Sequence, residues 1–381
     1  MRILTISNCH LIESQGSGYT IVNFSRGLQQ RGHEVDIFGP NEYEPFQFLR
    51  GRASRYRKAL GIFFFCLVQI NKKKYDIIEF YGAEAWLIVA FLRQLKKRPY
   101  LIICHSNGLE TNVHKVMTQN NEAIIYGSKL KKWYQFDQTG LFDIFFNKVD
   151  GIITQSDYDR GYGLNRQYQQ LDRLTTIEPG LLNTFLRLQL DFSRDAIIGY
   201  CGSWIPRKGT KIMINDVSNL LAEFPSLIFK LIGVGNDFKK EEYFPIQICN
   251  RINIIPFVEN KDDLKKIYKT VSIFIMPSIY ESFGLVSAEA MSCGCALVSS
   301  KTGFAASLKH GEEAMLIDEP LSPYLYEAVK ELLLNESLRI KIAQTGYERV
   351  QALRWDVAID KLEMTYLQWL DQYRSHYLSE T

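Results

Sequence analysis

Two carboxylates at a fixed spacing are the first candidates for chemistry in this chain. Glu281 and Glu289, with seven residues between them, lie in the segment P-S-I-Y-E-S-F-G-L-V-S-A-E-A-M-S-C-G-C-A-L-V-S-S at 277–300. A carboxylate at each place accepts hydrogen bonds from hydroxyl groups. Between them, backbone amides near Gly284 can point at an anion held at a helix N-terminus. The elements that must position these groups read directly from the flanks. An apolar strand at 271–276 leads in, Pro277-Ser278 and Ser282-Phe283-Gly284 form a loop, a helix-like run follows, and a second apolar run at 296–299 leads out. Strand, loop, helix, strand is the βαβ unit of an open parallel sheet. Ligands of such sheets bind outside the carboxyl ends of the strands. Glu281 falls in that loop, and Glu289 falls one to two turns into the helix.

Other residue sets invite the same question. Gly16 and Gly18, in Q-G-S-G-Y, sit between the first strand and the first helix, where glycines let a backbone approach a phosphate or an acceptor. They do not form a G-x-G-x-x-G fingerprint, so no dinucleotide motif is present. His105 follows an apolar strand at 100–104, a place where a lone histidine is more often structural. Arg207 and Lys208, in I-P-R-K-G, stand at a helix start, a poor place for cations against the helix dipole and a better one if they meet an anion. Asp157-Tyr158-Asp159 has the D-x-D form of a metal motif, but Ser156 followed by acids is the ordinary signature of a helix N-terminus. No bound metal is expected.

Apolar strand-like runs alternate with helical patterns throughout the chain, which is the α/β signature. Strands are expected at 2–7, 34–38, 75–80, 100–104, 151–154 and 174–177, and again at 196–201, 227–232, 252–255, 271–276, 296–299 and 315–317. A break at 178–191 contains Pro179-Gly180 and marks a domain boundary and hinge. The similar layout on either side predicts two doubly wound domains, and 381 residues are ample for two cores. From Leu321 the chain reads as helical. A last amphipathic segment starts at Trp355, with Ile359, Leu362, Tyr366 and Leu370 at helical spacing.

Hydrophobic content of 46% and charged content of 23% are ordinary for a soluble globular protein. No run of eighteen apolar residues suggests a membrane span, and the start is too short and too quickly polar for a signal peptide. Seven cysteines without a C-x-x-C pair predict free thiols in a reducing compartment. The net charge of +3 is unevenly placed: residues 1–190 carry 24 Lys+Arg against 17 Asp+Glu, a net of +7. Part of that excess flanks an apolar run at 59–70, with Arg50, Arg52, Arg55, Arg57 and Lys58 before it and Lys72 to Lys74 after it. Such a run could dock on an anionic membrane. Because F-F-F-C-L-V is apolar nearly all round, burial against the sheet is the expectation.

At this point the chain resembles glycosyltransferase family 4, the retaining sugar-nucleotide-dependent transferases of the GT-B fold. The resemblance is carried by Y-E-S-F-G-L followed by A-E-A-M-S-C-G, and by R-G-H-E-V-D-I-F at 31–38, K-Y-D-I-I-E at 74–79, V-D-G-I-I-T-Q-S at 149–156, I-E-P-G-L-L at 177–182, I-P-R-K-G at 205–209, L-I-G-V-G at 231–235 and I-I-P-F-V at 254–258. It implies two Rossmann-like domains facing a deep cleft. The first, acceptor-side domain would be 1–186, and the nucleotide-sugar-binding domain 187–362, with the last helix, about 363–381, packing back on the first. By resemblance, Lys208 meets the donor phosphates, Glu281 contacts the donor sugar, Glu289 holds the ribose hydroxyls, and His105 lies near the sugar's 6-position as a hydrogen-bond donor. The implied donor site also takes in Gly16, Gly18, Ser203, Arg207, Ser282, Phe283, Gly284 and Leu285. Two departures stand out. Ser203 occupies the place of a phosphate-binding arginine, so either Arg207 substitutes or the charge rests on Lys208 and the amides of Ser282 to Leu285. In the loop 302–306 only Gly303 remains of two glycines, and Ala306 replaces an acid.

The resemblance therefore implies transfer of a hexose, UDP-glucose being the expected donor, to a polysaccharide or lipid-linked hydroxyl acceptor on the cytoplasmic face of the cell membrane. No metal, cofactor or nucleic acid is implied. GDP-mannose is the alternative donor. A non-catalytic nucleotide-sugar-binding relative is the alternative class, and Ser203 and the altered 302–306 loop speak for it.

Overall fold

The computed structural model describes residues 1–13, 16–44, 54–95, 98–119 and 129–379. Arg50 and Arg52 lie outside the described residues. The chain divides into two compact units, one made of Met1–Lys115, Ile124–Gly180 and Trp355–Thr381, the other of Val116–Ala123 and Leu181–Arg354.

In the first unit six strands, β1 (Arg2–Ser7), β2 (Glu34–Phe38), β3 (Ile77–Tyr81), β4 (Leu101–His105), β5 (Gly151–Thr154) and β6 (Leu174–Thr176), form one parallel sheet in the order β2-β1-β3-β4-β5-β6. Its helices are α1 (Gly16–Gln30), α2 (Pro40–Tyr43), α3 (Ser54–Lys72), α4 (Trp86–Leu92), α5 (Glu110–Gln119), α6 (Lys129–Lys148) and α7 (Asp157–Asn165). The strands are apolar on both faces, as a parallel sheet covered on both sides requires. One face, with Leu4, Ile78, Phe80 and Ile102, packs Ile62 and Cys66 of α3 and Phe145 and Phe146 of α6. The other, with Ile3, Ile77, Leu101, Ile103 and Ile153, is covered by Phe24 and Leu28 of α1 and by the last helix of the chain, Trp355–Ser379, through Ile359, Leu362, Tyr366, Trp369 and Leu370. The spacing seen in the sequence is thus the buried stripe of that helix.

The second unit holds β7 (Ile197–Cys201), β8 (Ile228–Ile232), β9 (Ile252–Ile255), β10 (Ile273–Met276), β11 (Ala296–Ser300) and β12 (Met315–Ile317), again all parallel, in the order β12-β11-β10-β7-β8-β9. Its helices are α8 (Thr210–Glu223), α9 (Ile246–Cys249), α10 (Lys261–Tyr268), α11 (Leu285–Ser292), α12 (Tyr324–Leu334) and α13 (Glu336–Val350); the C-terminal helix Trp355–Ser379 is α14. The strand order reverses between β7 and β10, and that is where a ligand crevice opens in a sheet of this kind.

All twelve expected strands are present, five with the expected bounds and the rest with ends shifted by one or two residues. β10 starts at Ile273 rather than at residue 271 because the Val271 amide turns back to the Tyr268 carbonyl, 2.9 Å away, and closes α10 instead of joining the sheet. The expectation for the apolar run at 59–70 needs correction. Ala59, Ile62 and Cys66 are buried, but Leu60, Phe64 and Val68 on the same helix are exposed. An apolar helix lying on a sheet can bury only the side that meets it.

Candidate functional site

The loops after β7 and β10 carry most of the predicted residues and are laced together. After β7 the chain passes Ser203 and makes a short helical turn at Pro206–Lys208, then enters α8 at Thr210 through Gly209. Gly209 has φ +75°, and a β-carbon there would lie 1.9 Å from the Pro277 carbonyl oxygen, so no side chain fits between the two loops. The Ile279 amide donates to the Arg207 carbonyl at 2.8 Å, and the Arg207 guanidinium donates to the Tyr280 carbonyl at 3.1 Å. The Lys208 ammonium reaches Glu281 Oε1 at 2.7 Å, and the Ser278 hydroxyl donates to the same oxygen at 2.6 Å. Burial alone would raise the Glu281 carboxyl. The charges of Lys208 and Arg207 and the hydrogen bonds from Lys208 and Ser278 outweigh it and hold the group below the ordinary carboxylate range. Glu281 is ionised across the neutral range.

Ser282, Phe283 and Gly284 follow, and α11 begins at Leu285. The first-turn amides of a helix have no acceptor within it, so they form an anion-binding end. The Phe304 amide donates to the Phe283 carbonyl at 2.8 Å, which ties the altered 302–306 loop to this turn. Glu289 is the fifth residue of α11 and is buried. Its Oε1 accepts from the Lys261 ammonium at 2.6 Å, and its Oε2 is buried with no hydrogen-bond partner. Burial raises the Glu289 carboxyl despite Lys261. An orphaned carboxylate oxygen of this kind is a ready acceptor for a ligand hydroxyl.

Lys261 escaped the sequence reading. Its signal was present: it is the first residue of α10, where a cation opposes the helix dipole, in a turn capped by the Asn260 side chain accepting from Asp262 N at 2.8 Å. Ser203 is exposed, and its carbonyl accepts from the Tyr200 hydroxyl at 2.9 Å. The cation beside Lys208 and Glu281 is Arg207.

Gly16, Gly18 and His105 belong to the first unit. Gly16 opens α1, and a β-carbon on Gly18 would lie 2.6 Å from the Ile12 carbonyl oxygen, so the loop after β1 folds tightly on the helix start. Both glycines line a cavity of about 510 Å³ with Asn8, Cys9, His10 and Lys58. His105 ends β4 and is fully buried, stacked on Tyr81 at 4.7 Å. Its Nδ1 lies 2.7 Å from the Tyr81 hydroxyl and 2.9 Å from Glu79 Oε1, while Nε2 is buried with no partner. Glu79 also accepts from the Thr5 hydroxyl at 2.7 Å and from the Tyr366 hydroxyl of α14. Burial would raise Glu79, but the hydrogen bond and charge of His105, with Tyr366 and Thr5, hold it low. Beyond β4, Glu110 is a second residue missed from sequence. Ala83 N donates to its Oε1 at 3.0 Å, Oε2 has no partner, and burial, then the charge of Glu84, pushes the carboxyl up to about 8.

The D-x-D segment is the first turn of α7. Asp157 accepts from the Thr176 hydroxyl at 2.7 Å and Asp159 from the Asn112 amide at 2.9 Å, so both carboxylates are engaged in holding the helix start.

Comparison with known proteins gives the family and the fold. Residues 185–349 match the family model described as glycosyl transferases group 1, and residues 14–181 match that of Glycosyltransferase Family 4. The chain is 24% identical over 257 residues to an uncharacterized glycosyltransferase of Methanocaldococcus jannaschii, covering 66% of this chain and 68% of that one. It is 23% identical to the D-inositol 3-phosphate glycosyltransferase of Corynebacterium diphtheriae, covering 96% and 94%. Among solved structures, sucrose-phosphate synthase of Thermosynechococcus elongatus superimposes with a TM-score of 0.73 at 19% identity over 99% of both chains. Anabaena HepE in complex with UDP-glucose gives 0.66 at 16% identity over 97% of this chain and 100% of that one. At such identities these two similarities concern the fold.

Proposed function

Because this chain belongs to glycosyltransferase family 4, we propose that it is a retaining hexosyltransferase, moving glucose from UDP-glucose to a hydroxyl acceptor in the synthesis of a surface polysaccharide or glycolipid. The observation that carries the reading is the convergence of Lys208, Glu281 and Glu289 at the strand-order reversal of the second sheet. Each group suits one part of a nucleoside diphosphate sugar. The free oxygen of Glu289 accepts the ribose hydroxyls, and Glu281 accepts from the sugar. Lys208, Arg207 and the amides at the start of α11 face the diphosphate. When the bond from the anomeric carbon to the diphosphate oxygen breaks, negative charge grows on that oxygen, and fixed cations and amides lower the barrier most effectively there. The acceptor oxygen bonds to the anomeric carbon on the face the diphosphate leaves, so the configuration is kept. The acceptor's proton passes to the departing diphosphate. This route draws on no metal ion and no cofactor.

With Ser203 in place of an arginine, the diphosphate charge falls on Lys208, and Arg207, pinned by Tyr280, stands beside it. UDP-glucose is the donor bound in HepE, which shares this fold, and it heads the donor panel. The test is a donor panel of UDP-glucose, UDP-galactose, GDP-mannose and ADP-glucose, with released nucleotide and sugar followed by mass spectrometry. UDP-glucose is expected to be consumed fastest. Preference for GDP-mannose would replace the donor and keep the chemistry. Tight nucleotide binding with every donor intact would instead make the chain a nucleotide-sugar-binding protein without turnover.

A further inference from the structure

Helix α3 presents an apolar stripe to solvent. Tyr56, Leu60, Phe64 and Val68 follow one another at four-residue spacing, and their exposure runs from 41% at Tyr56 to 62% at Phe64. Residues so spaced share one side of a helix. The opposite side is committed to the core through Ala59, Ile62 and Cys66. Exposed apolar residues scattered singly need no explanation, but a contiguous row does. This row continues onto the neighbouring helix. Phe63 lies edge-on to Phe64 at 5.3 Å and to Phe91 of α4 at 5.4 Å, and Phe91 and Leu95 are both 43% exposed.

The charges around the row name its occupant. The next position along the stripe is Lys72, in the last turn of α3, and Lys74 follows; both are exposed. From residue 45 to residue 75 the sequence has eight Lys or Arg and no Asp or Glu. Lys73 is taken by Glu34 and Asp36, Arg57 by Glu44, and Arg93 on the α4 side by Asp150, so the acids nearby are spent on other cations. A second copy of this chain seated on the same face would set lysine against lysine, which opposes association. An anionic lipid surface satisfies both parts at once, because headgroups attract the lysines and the acyl boundary takes the aromatic and aliphatic side chains. No helix among the described residues is long and apolar enough to cross a membrane, so the contact would lie in the plane of the interface.

We propose that the α3–α4 face of the first unit, centred on Leu60, Phe64 and Phe91, is a docking surface for an anionic lipid bilayer. It shares no residue with the proposed donor site, so the two can fail separately. Sedimentation of the full chain with vesicles tests it, using phosphatidylcholine alone and phosphatidylcholine with about a third phosphatidylglycerol. The wild type is expected to pellet with the anionic vesicles, and less so as salt is raised. Leu60→Glu/Phe64→Glu should lower the bound fraction by roughly tenfold, with the far-UV spectrum and donor turnover unchanged. Lys72→Ser/Lys74→Ser, which leaves every packed side chain in place, should weaken binding several-fold and remove most of its salt dependence. Absence of wild-type binding overturns the proposal, as does binding by both variants at the wild-type level. Light scattering that finds a wild-type dimer and a Leu60→Glu/Phe64→Glu monomer also overturns it, because a second copy then covers the face.

Discussion

Each unit of this protein carries buried carboxylates near the carboxyl ends of its strands, and the two arrangements differ in how completely they are satisfied. In the first unit Glu79 collects His105, Thr5 and Tyr366. Three separate parts of the chain thus meet on one carboxylate, and the histidine side chain is 0% exposed. In the second unit Glu281 shares Lys208 and Ser278, and Glu289 has Lys261 on one oxygen and nothing on the other. Lys208 and Glu281 keep 14% and 11% of their side-chain surface. The first cluster therefore works as a clasp that fixes α14 to its sheet. The second keeps unspent hydrogen-bonding capacity and, in the proposed function, a cation that a diphosphate would claim from Glu281. The carboxylate of Glu79 is surrounded by internal partners, with only the far side of His105, Nε2, left unpartnered, whereas on Glu289 a carboxylate oxygen itself is left over.

The sharpest way to break that contrast is to remove a partner from each side. Glu79→Ala leaves His105, Thr5 and Tyr366 without their acceptor in a dry site, and breaking a buried pair costs about 3–5 kcal/mol. The thermal transition of the first unit is expected to fall by on the order of 10 °C, followed by circular dichroism. In the second unit the loss is catalytic. Lys208→Ala should lower kcat/KM for the best donor by roughly 100–1000-fold, and Glu289→Ala should also collapse turnover while the protein stays folded. The double variant Lys208→Ala/Glu281→Gln strands no charge. It should match the wild type in melting temperature and turn over no faster than the single variant. Full activity in either single variant would remove the site assignment.

The smallest effect concerns Glu110, which sits with an unpartnered oxygen like Glu289 but in the first unit. Its carboxyl is raised to about 8 in the folded chain, so between the unfolded value near 4.5 and 8 the folded state binds the extra proton. Stability should decline as pH climbs through that window. Glu110→Gln mimics the protonated form and should flatten the decline. Its melting temperature is expected to exceed the wild type's by a few degrees at pH 8.5 and to equal it at pH 4. A wild-type profile flat between pH 5 and 8 would contradict the shift.

Much of this was legible in the sequence, and unevenly so. Strands such as Arg2–Ser7 and Ile252–Ile255 are short apolar runs bounded by polar turns, a pattern that burial on both faces of a parallel sheet imposes locally. Glu281 and Glu289 were legible because one short segment carries the strand end, the turn and the helix that place both. Lys261 was not, because it lies 28 residues from Glu289 and its tie crosses between helices. The Glu79–Tyr366 bond spans 287 residues, and nothing local to either residue announces it. The apolar side of α3 was misjudged for the same reason. Composition shows that a helix is apolar, and only the neighbours packed on it decide which side stays wet.

The sequence by itself thus determined the α/β alternation, the twelve strands, the buried stripe of the last helix, and the loop–helix segment that holds Glu281 and Glu289. Each of these depends on interactions within a turn or two, and local periodicity records them. Tertiary structure alone decided which ion pairs close on themselves and which keep a free oxygen, that the Arg207 guanidinium is held on the Tyr280 carbonyl, and that Phe64 faces water. Those outcomes depend on distances between elements far apart in the chain, and such distances are fixed only when the sheets and helices pack.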